Sequence, residues 1–451
     1  MALTGAAALP PLEWIGGWGR HPIARGRLSR SARLAVPPGT GAIVARGLGR
    51  AYGDAAVPAS PAGLVIDTSL ADRILDFDPA SGRLTCESGL SLAELLRVFA
   101  AQGWFPPVTP GTKFVTVGGC VACDVHGKNH HRDGSFGGFV ERLRVRVADG
   151  RLISCGPAEE RELFLATVGG MGLTGLIVEV VLRLRPVESP WILCETRSMS
   201  SLDAMLDGLR ASGADWPYTV GWLDGFARGA GLGRGVLIRG RHASRDEAGP
   251  RTAPPRRVLT VPLEAPEWLL NPAFMRLFNG LYRARHGAAR ASLVSYERFF
   301  YPLDALHRWN LLYGRRGFLQ FQCVLPHAAG AGLIRSMLDR VSSRGAASFL
   351  SVIKDFGPGS EAYLSFPLAG TTLSLDLPYR GRPTEELVHE LNAIVIEAGG
   401  RIYLAKDAVT RAEDFARMMP RLSQWTAVRD RWDPAHRFRS GQSVRLLGDR
   451  A

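Results

Sequence analysis

Long apolar runs are missing from this chain of 451 residues, and cysteine is rare. No stretch reaches the roughly 18 apolar residues that a membrane-spanning helix needs, so we expect no such helix. Six cysteines are too few for a dense disulfide framework in a chain of this length, which favours a reducing compartment. The N-terminal stretch MALTGAAALPPLEW has no basic leader, so we expect no export signal. These absences predict a cytoplasmic protein or one attached peripherally to the inner membrane, on a side that the sequence does not indicate.

Lysine is also scarce, because only four of the 55 basic residues are lysines: Lys113, Lys128, Lys354 and Lys406. Lysine offers a compact ammonium that titrates when it is buried, whereas arginine stays charged. Each of the four is therefore a candidate for a site that needs such a group. The alternatives are chance and, for Lys406, a surface ion pair with its neighbour Asp407.

Acidic residues are outnumbered, and the formal net charge is +13. An excess of positive charge favours an anionic partner, either nucleic acid or a membrane surface. The basic residues are scattered and form no Lys/Arg stripe with interleaved aromatic residues. We therefore predict no nucleic-acid partner and favour an anionic membrane surface.

What the chain does contain, over residues 40 to 185, is a series of short β-branched runs separated by glycine turns. Predicted helices at 91–101 and 159–167 interrupt these strands, which indicates an α+β domain and not a strict βαβ alternation. The run FVTVGG at 114–119 is one of the predicted strands. Pro186 and Pro190 mark the predicted end of this domain.

The second block, residues 191 to 400, carries a different pattern. Its predicted strands are 317–325 and 371–377, and its predicted helices are 200–212, 328–344 and 383–399. Residues 242–295 are rich in Arg, Pro and Ala, and we expect a loose insertion or mobile helical loop there that acts as a lid or a membrane contact. The last 45 residues are predicted to be helical.

The segment RGLGRAYGD at 46–54 places three glycines and two arginines directly after a short strand. Such a turn offers backbone N–H groups to a pyrophosphate, and the arginines add charge. An ordinary glycine turn explains the segment equally well when it is taken alone. The G-x-G-x-x-G at 170–175 follows a predicted helix and precedes a strand, the reverse of a Rossmann site, so we expect a turn that packs near a cofactor.

The richest stretch is 110–136, PGTKFVTVGGCVACDVHGKNHHRDGSF. Its glycines allow a backbone to approach a flat or charged ligand, and a crowd of ionisable and amide groups follows directly. We interpret it as a binding wall that opens onto a reactive pocket. Cys120 and Cys123 form a C-x-x-C without a second half, so buried packing is favoured over a redox or zinc site, and no metal is predicted.

These motifs together resemble the decaprenylphosphoryl-β-D-ribose 2′-oxidase family of the vanillyl-alcohol oxidase superfamily. The similarity rests on GRAYGD at 49–54, VTVGG at 115–119, DVHGKNHHRDGSFG at 124–137, FLQFQCVLP at 318–326, FGPG at 356–359 and YLAKD at 403–407. It implies an α+β flavoprotein with two domains: a PCMH-type FAD-binding domain over 1–190, an antiparallel-sheet substrate domain over 191–399, and a C-terminal segment, 400–451, that returns to the FAD domain.

The resemblance also implies a set of site residues and a non-covalently held FAD. The residues expected around the cofactor are Arg46, Gly47, Leu48, Gly49, Arg50, Ala51, Tyr52, Gly53, Gly111, Thr116, Val117, Gly118, Gly119, Cys123, Asp124, His126, Ile177 and Tyr403. The residues expected to face the substrate are Lys128, Gln320, Gln322, Lys354, Ser374 and Lys406, with Lys406, Lys128 and Gln322 in catalytic roles. Within this set, Lys406 lies in a strand-like run, RIYLAKDAVT, whose alternation predicts that Tyr403 faces away from it.

The implied reaction oxidises the C2′ hydroxyl of a polyprenylphosphoryl-β-D-ribose to the 2′-keto sugar. This is the first half of an epimerisation that supplies arabinose for the cell envelope, and an NAD(P)H-dependent short-chain reductase completes it. Mycobacterial members carry a cysteine where this chain has Ser374, so inhibitors that trap that thiol are expected to fail. Two other functions stay open: an FAD-dependent oxidase of a soluble sugar, polyol or aldonolactone, and a basic membrane- or nucleic-acid-binding protein without turnover.

Overall fold

A computed structural model describes residues 10–39, 41–251, 258–266, 271–286 and 290–451. The first part of the chain is rich in short strands. They are β1 (Leu12–Gly16), β2 (Ile23–Arg30), β3 (Ile43–Arg46), β4 (Leu64–Asp67), β5 (Ile74–Asp78), β6 (Arg83–Glu87), β7 (Trp104–Phe105), β8 (Val140–Arg146), β9 (Leu152–Cys155), β10 (Leu176–Arg183) and β11 (Arg185–Pro186). The helices between them are α1 (Leu92–Phe99), α2 (Val117–Ala122), α3 (His130–Asp133) and α4 (Arg161–Thr167).

Two sheets organise this first part. One has the strand order β1-β2-β4-β3 and parallel pairing around β4, and the other has the antiparallel order β5-β6-β10-β8-β9. Helix α2 packs against β10 and carries the start of the 110–136 stretch to the sheet. Mixed parallel and antiparallel pairing with few helices is the predicted α+β pattern.

The second part is built on one large antiparallel sheet. Its strands and those beside it are β12 (Trp191–Met199), β13 (Tyr218–Leu223), β14 (Gly235–His242), β15 (Leu259–Thr260), β16 (Arg290–Ser295), β17 (Leu306–His307), β18 (Phe318–Pro326), β19 (Ser351–Phe356), β20 (Gly370–Pro378) and β21 (Arg401–Ile402). The large sheet has the order β16-β12-β14-β13-β19-β20-β18-β21. The helices are α5 (Leu202–Gly213), α6 (Arg245–Ala248), α7 (Pro272–His286), α8 (Tyr296–Phe300), α9 (Gly330–Ser343) and α10 (Arg382–Glu397).

Alternation along the strands gives the large sheet two different faces. Leu319 and Phe321 on β18 and Leu373 on β20 are buried in the core that also contains the inner faces of α5, α9 and α10. Residues at the intervening positions of the same strands, including Gln320 and Gln322, point to the opposite face. That opposite face is turned towards the first part of the chain, since Gln322 and Lys354 contact His126.

The final segment contains α11 (Ala412–Met418), α12 (Leu422–Trp432) and α13 (Gly441–Leu447). Its contacts return to the first part: the Trp425 indole donates to the carbonyl of Ala166, and Phe438 forms a bridge with Ile43. The segment starts in the large sheet, however, because β21 pairs with β18. The division at 190 and 400 stays a proposal.

Most predicted elements are confirmed, among them the helices at 91–101, 159–167, 200–212, 328–344 and 383–399 and the strands at 317–325 and 371–377. The strand predicted at FVTVGG is wrong, because helix α2 starts at Val117. Thr116 is extended and its Oγ1 accepts the N–H of Gly119 at 3.1 Å, so a helix cap replaces strand pairing. The RIYLAKDAVT strand is also wrong beyond Ile402, where the chain turns.

The insertion predicted at 242–295 contains α6, β15, helix α7 and edge strand β16, which pairs with β12. Parts of that prediction fall on 252–257, 267–270 and 287–289, which lie outside the described residues. Helix α7 exposes the apolar side chains of Phe274, Leu277, Phe278 and Leu281. None of the helices in the described part of the chain is long and apolar enough to cross a bilayer.

Candidate active site

The glycine loop, residues 46–54, leads from β3 to the interior of the molecule. Among the described residues, no acceptor bonds the backbone N–H groups of residues 47 to 51, whereas the Tyr52 N–H donates to the carbonyl of Ala405 at 2.9 Å. Arg50 is half-buried, its guanidinium lies 3.8 Å over the Trp18 ring, and its Nε has no hydrogen-bond partner there. Burial lowers the pKa of Arg50. A row of free N–H donors beside a buried cation fits a pyrophosphate.

The charge of Arg46 suggested a contact with a pyrophosphate, but backbone carbonyls bind its guanidinium instead. Its guanidinium donates to the carbonyls of Gly16 at 2.9 Å and Ala56 at 3.1 Å. Arg46 therefore stabilises the glycine loop through hydrogen bonds within the protein. Gly49, with φ of 64°, packs its Cα against that guanidinium, and this backbone conformation favours glycine.

Two glycines of the loop allow close backbone contacts. A Cβ on Gly47 would lie 2.3 Å from Thr116 Oγ1, and a Cβ on Gly53 would lie 1.8 Å from the carbonyl oxygen of Asp407. The loop thus touches both the cap of α2 and the turn after β21. The glycine loop, the 110–136 stretch and the turn after β21 therefore meet at one place.

The 110–136 stretch forms the neighbouring wall. The N–H groups of Val117 and Gly118 donate to Leu90 and Ser88, and the wall continues through Cys123 at the end of α2. Gly111 has open space where a Cβ would project. Cys120 is buried without a disulfide, as the packing interpretation predicted.

Asp124 stabilises the wall through hydrogen bonds within the protein. Its carboxylate accepts from Ser365 Oγ at 2.6 Å, Ser135 Oγ at 2.8 Å and the Gly137 N–H at 2.8 Å. These protein donors occupy the carboxylate of Asp124, so its side chain is not available to a cofactor. The turn 170–175 packs on the same wall, since the Met171 N–H donates to Ala122, and Ile177 follows on β10.

His126 stands where the wall meets the large sheet. Its Nε2 lies 2.9 Å from the Gln322 amide nitrogen, and its Nδ1 lies 3.1 Å from Lys354 Nζ. Burial, with help from the positive charge of Lys354, holds the pKa of His126 well below its usual value. The ring is therefore neutral. Residues that are 196 and 228 positions away in sequence hold it in place.

The polar face of the large sheet supplies the row of predicted substrate residues. Gln320 and Gln322 on β18 lie opposite Asp376 and Ser374 on β20, and Lys354 follows on β19. Burial, then the positive charges of Lys128 and Lys406, lowers the pKa of Lys354 to about 7. Three of the four lysines of the chain thus converge on one pocket.

Lys406 lies in the turn after β21 and points its ammonium at the Tyr52 ring, 3.6 Å from the centroid. The ion pair with Asp407 that we kept as an alternative is wrong, because Arg445 binds the Asp407 carboxylate at 2.9 Å and the Thr410 N–H binds it at 2.9 Å. Within the described residues, Lys406 Nζ has no hydrogen bond or ion pair. Burial lowers its pKa, while the negative charge of Asp376 acts against that shift.

Lys128 and Tyr403 complete the pocket. Lys128 Nζ donates to the carbonyl of Phe299 and lies 4.4 Å over its ring, and burial lowers the pKa of Lys128 to about 8. Tyr403 stacks on Phe366, with ring centroids 4.7 Å apart, and its hydroxyl donates to the carbonyl of Cys123 at 3.0 Å. The prediction that Tyr403 and Lys406 face apart is wrong. The chain turns after Ile402 and brings both residues close to the same wall.

Asp376 is the residue that our sequence reasoning missed. It is 1% exposed and accepts from the Gln320 amide and from the Tyr313 hydroxyl, the latter at 3.1 Å. The available signal was its alternation with Ser374 on the same strand, which places both on one face.

Two protein-family models match this chain. The model of an FAD binding domain matches residues 38–156, and the model of D-arabinono-1,4-lactone oxidase matches residues 326–446. Decaprenylphosphoryl-beta-D-ribose oxidase of Mycolicibacterium smegmatis is 36% identical, and the aligned region covers 95% of this chain and 96% of that protein.

The chain belongs to the decaprenylphosphoryl-β-D-ribose oxidase family.

Two further relatives are less similar to this chain. An uncharacterised protein of Streptomyces coelicolor, from the mprA 5′ region, is 33% identical over 79% of this chain and 100% of its own length. A D-lactate dehydrogenase of Anaerostipes hadrus is 28% identical over 28% of this chain and 27% of its own length. Membership of the family makes the chain an FAD-dependent oxidoreductase with the predicted two-domain α+β flavoprotein fold. The free N–H groups of the glycine loop and the half-buried Arg50 fit FAD.

Proposed function

We propose that this family member oxidises the C2′ hydroxyl of a polyprenylphosphoryl-β-D-ribose to the 2′-keto sugar. The observation that carries the proposal is the convergence of Lys128, Lys354 and Lys406 on one pocket with Gln322 and His126. Three ammonium groups suit a substrate that carries a phosphodiester, and amide side chains suit its sugar hydroxyls. The relative from Mycolicibacterium smegmatis is named for decaprenylphosphoryl-β-D-ribose, which supports the same substrate class.

In this proposal FAD supplies the hydride acceptor for the oxidation. The glycine loop holds its pyrophosphate, and the 110–136 wall with Tyr403 and Ile177 encloses the rest. Lys406 would bind the 2′ oxygen and stabilise the negative charge that develops there as the hydroxyl proton leaves to solvent, while hydride passes from C2′ to FAD. Lys128, Gln320, Gln322, Lys354 and Ser374 orient the sugar and its phosphate.

We propose that FAD is held without a covalent bond. His126 lies in the wall expected to line the flavin, and both its ring nitrogens have protein partners, Gln322 and Lys354. Acid precipitation of the purified protein tests this point. The yellow colour should stay in the supernatant, and a yellow pellet would contradict the proposal.

The test of substrate class is an anaerobic titration of the purified yellow protein with farnesylphosphoryl-β-D-ribose. We expect the flavin absorbance to bleach within the mixing time of a manual experiment. A flavin that stays oxidised with this compound, but bleaches with a soluble sugar, polyol or aldonolactone, would refute the lipid-linked substrate. That second function has one observation in its favour, the match of residues 326–446 to D-arabinono-1,4-lactone oxidase.

An anionic membrane surface is the second partner that we propose. Leu259 and Leu263 are 69% and 76% exposed, and Leu277 and Leu281 on α7 are 61% and 64% exposed. We propose that these leucines form one membrane-binding face, because exposed apolar side chains that lie together mark an interaction surface. The last turn of α7 adds basic residues at 283, 285 and 286, which suit anionic lipid and not a neutral surface.

Sedimentation with vesicles tests the membrane proposal. The protein should bind phosphatidylglycerol vesicles more than phosphatidylcholine vesicles, and the double variant Leu277→Glu with Leu281→Glu should lose most of this binding. Leu70→Glu is the matched control, because Leu70 is 53% exposed and lies away from α7 in sequence. Equal binding by the double variant and the control would overturn the assignment of this face.

The product of the proposed reaction is a ketone, and completing the epimerisation requires its reduction from the other face. We therefore propose an NAD(P)H-dependent short-chain reductase as a functional partner. Coupled assay with such a reductase should convert the ribose substrate to the arabinose epimer, whereas either enzyme alone should not.

A further inference from the structure

Among the described residues, Asp376 lacks the arginine partner that neutralises two other buried carboxylates, Asp54 and Asp407. Asp54 and Asp407 are neutralised by Arg445, at 2.8 Å and 2.9 Å. Asp124 is held by serine hydroxyls and a backbone N–H. Asp376 has only the uncharged donors Gln320 and Tyr313, and within the described residues no cation lies at ion-pair distance from it.

A buried carboxylate without a paired cation is costly unless a nearby charge compensates it. Burial raises the pKa of Asp376, and the charge of Lys406 opposes that shift. In return, Asp376 is the group that does most to raise the pKa of Lys406, ahead of the thiol of Cys123. The two residues therefore compensate each other through the pocket.

Aromatic rings fix the geometry between the two charges. The Lys406 ammonium rests on Tyr52, Tyr52 packs edge-on against Phe318 with centroids 5.5 Å apart, and Tyr313 stacks on Phe318 at 4.0 Å. Tyr313 is also the donor to Asp376. Both groups contact aromatic side chains of this ring cluster, so water screens their mutual attraction only weakly.

We propose that Asp376 is a positioning residue whose buried carboxylate, held by Tyr313 and Gln320, keeps Lys406 protonated and directed at the substrate. This inference rests on the proposed role of Lys406. Other groups facing Lys406 work in the opposite direction or are neutral: Lys354 is a second cation, and His126 and Tyr52 carry no charge near neutral pH. Asp376 is therefore the counter-charge that the ammonium requires.

The test measures the protonation of Lys406 directly. Only a neutral amine reacts with acetic anhydride, so the labelling rate of each lysine as a function of pH gives its titration midpoint. With four lysines in the chain, mass spectrometry of proteolytic peptides resolves each one. Asp376→Asn keeps the size of the side chain, and it should lower the midpoint of Lys406 by about one pH unit or more, the shift that a nearby opposite charge produces.

Two controls make the result specific. The midpoint of Lys113, which pairs with Glu297, should not move in Asp376→Asn. Asp355→Asn removes a carboxylate from β19 on the opposite face of the sheet and should leave Lys406 unchanged. If Asp376→Asn does not fold, Tyr313→Phe replaces it, and the loss of a donor to the carboxylate should lower the Lys406 midpoint in the same direction by less. An unchanged Lys406 midpoint in both variants would overturn the proposal.

The labelling needs no substrate, so its outcome is independent of the proposed reaction. A second readout uses the rate of anaerobic flavin reduction with farnesylphosphoryl-β-D-ribose. For a shift of one unit from a midpoint near 7, Asp376→Asn should be about twofold slower at pH 6 and about tenfold slower at pH 8. A loss of rate that is equal at both pH values would show a merely structural role and overturn the inference.

Discussion

Replacing Lys406 with methionine removes the ammonium and keeps an unbranched stem over the Tyr52 ring. In the described part of the chain that ammonium has the ring, 3.6 Å from its centroid, as its protein partner, and no hydrogen bond. Its donor capacity is therefore available to a substrate oxygen. The protein itself loses little, because the cation–π contact is worth about 0.5–2 kcal/mol and removal of the buried charge offsets it.

The expected loss lies in the chemical step. One preorganised donor at a developing oxyanion is worth about 2.7–4 kcal/mol, so flavin reduction in Lys406→Met should be about 10²- to 10³-fold slower. The assay is anaerobic stopped-flow mixing with farnesylphosphoryl-β-D-ribose, followed at the flavin band and expressed per bound flavin. The bound flavin content should equal that of the unchanged protein.

Lys113→Met is the matched control, since it removes the same charge from a lysine that pairs with Glu297. Its reduction rate per flavin should stay within about twofold of the unchanged protein, because the Lys113 ammonium is bound by Glu297 and offers no donor to the developing oxyanion. If Lys406→Met reduced as fast as this control, Lys406 would not act on the 2′ oxygen.

Three other predictions follow from the same pocket. Ser374→Cys should gain sensitivity to inhibitors that trap a thiol, because Ser374 is half-buried on the polar face of β20; mass spectrometry should show the adduct, and its absence would contradict the position of this residue. Gly53→Ala should lose FAD, since the added Cβ would lie 1.8 Å from the Asp407 carbonyl oxygen, whereas Gly138→Ala meets nothing within 4 Å and should keep it, as absorbance ratios will report. Burial lowers the pKa of Lys354 to about 7, so from there to about pH 10.5 the unfolded chain binds a proton that the folded chain lacks, and the free energy of unfolding of the flavin-free protein should rise with pH. Chemical denaturation should show a shallower rise in Lys354→Met, and parallel pH dependences would refute the burial of this charge.

Local patterns determined much of this protein. Glycines directly after a short strand predicted the loop with free N–H donors, and alternation of apolar residues predicted the strands at 317–325 and 371–377. Lysine is rare in this arginine-rich chain, so the sequence itself marked Lys128, Lys354 and Lys406, which lie in the pocket. The prediction of a strand at FVTVGG failed because the choice between a helix cap and a strand at Thr116 depends on partners such as Leu90 that are distant in sequence.

Only the tertiary structure decided how the candidate residues are paired and charged. Sequence placed Lys406 next to Asp407, yet Arg445, 38 positions away, binds that carboxylate and leaves the ammonium on Tyr52. His126 receives Gln322 and Lys354 from strands of another sheet, and the carboxylate of Asp376 is buried beside Tyr313. The physical reason is that protonation and pairing depend on burial and on distances across the fold, and neither is encoded in the spacing of residues along the chain.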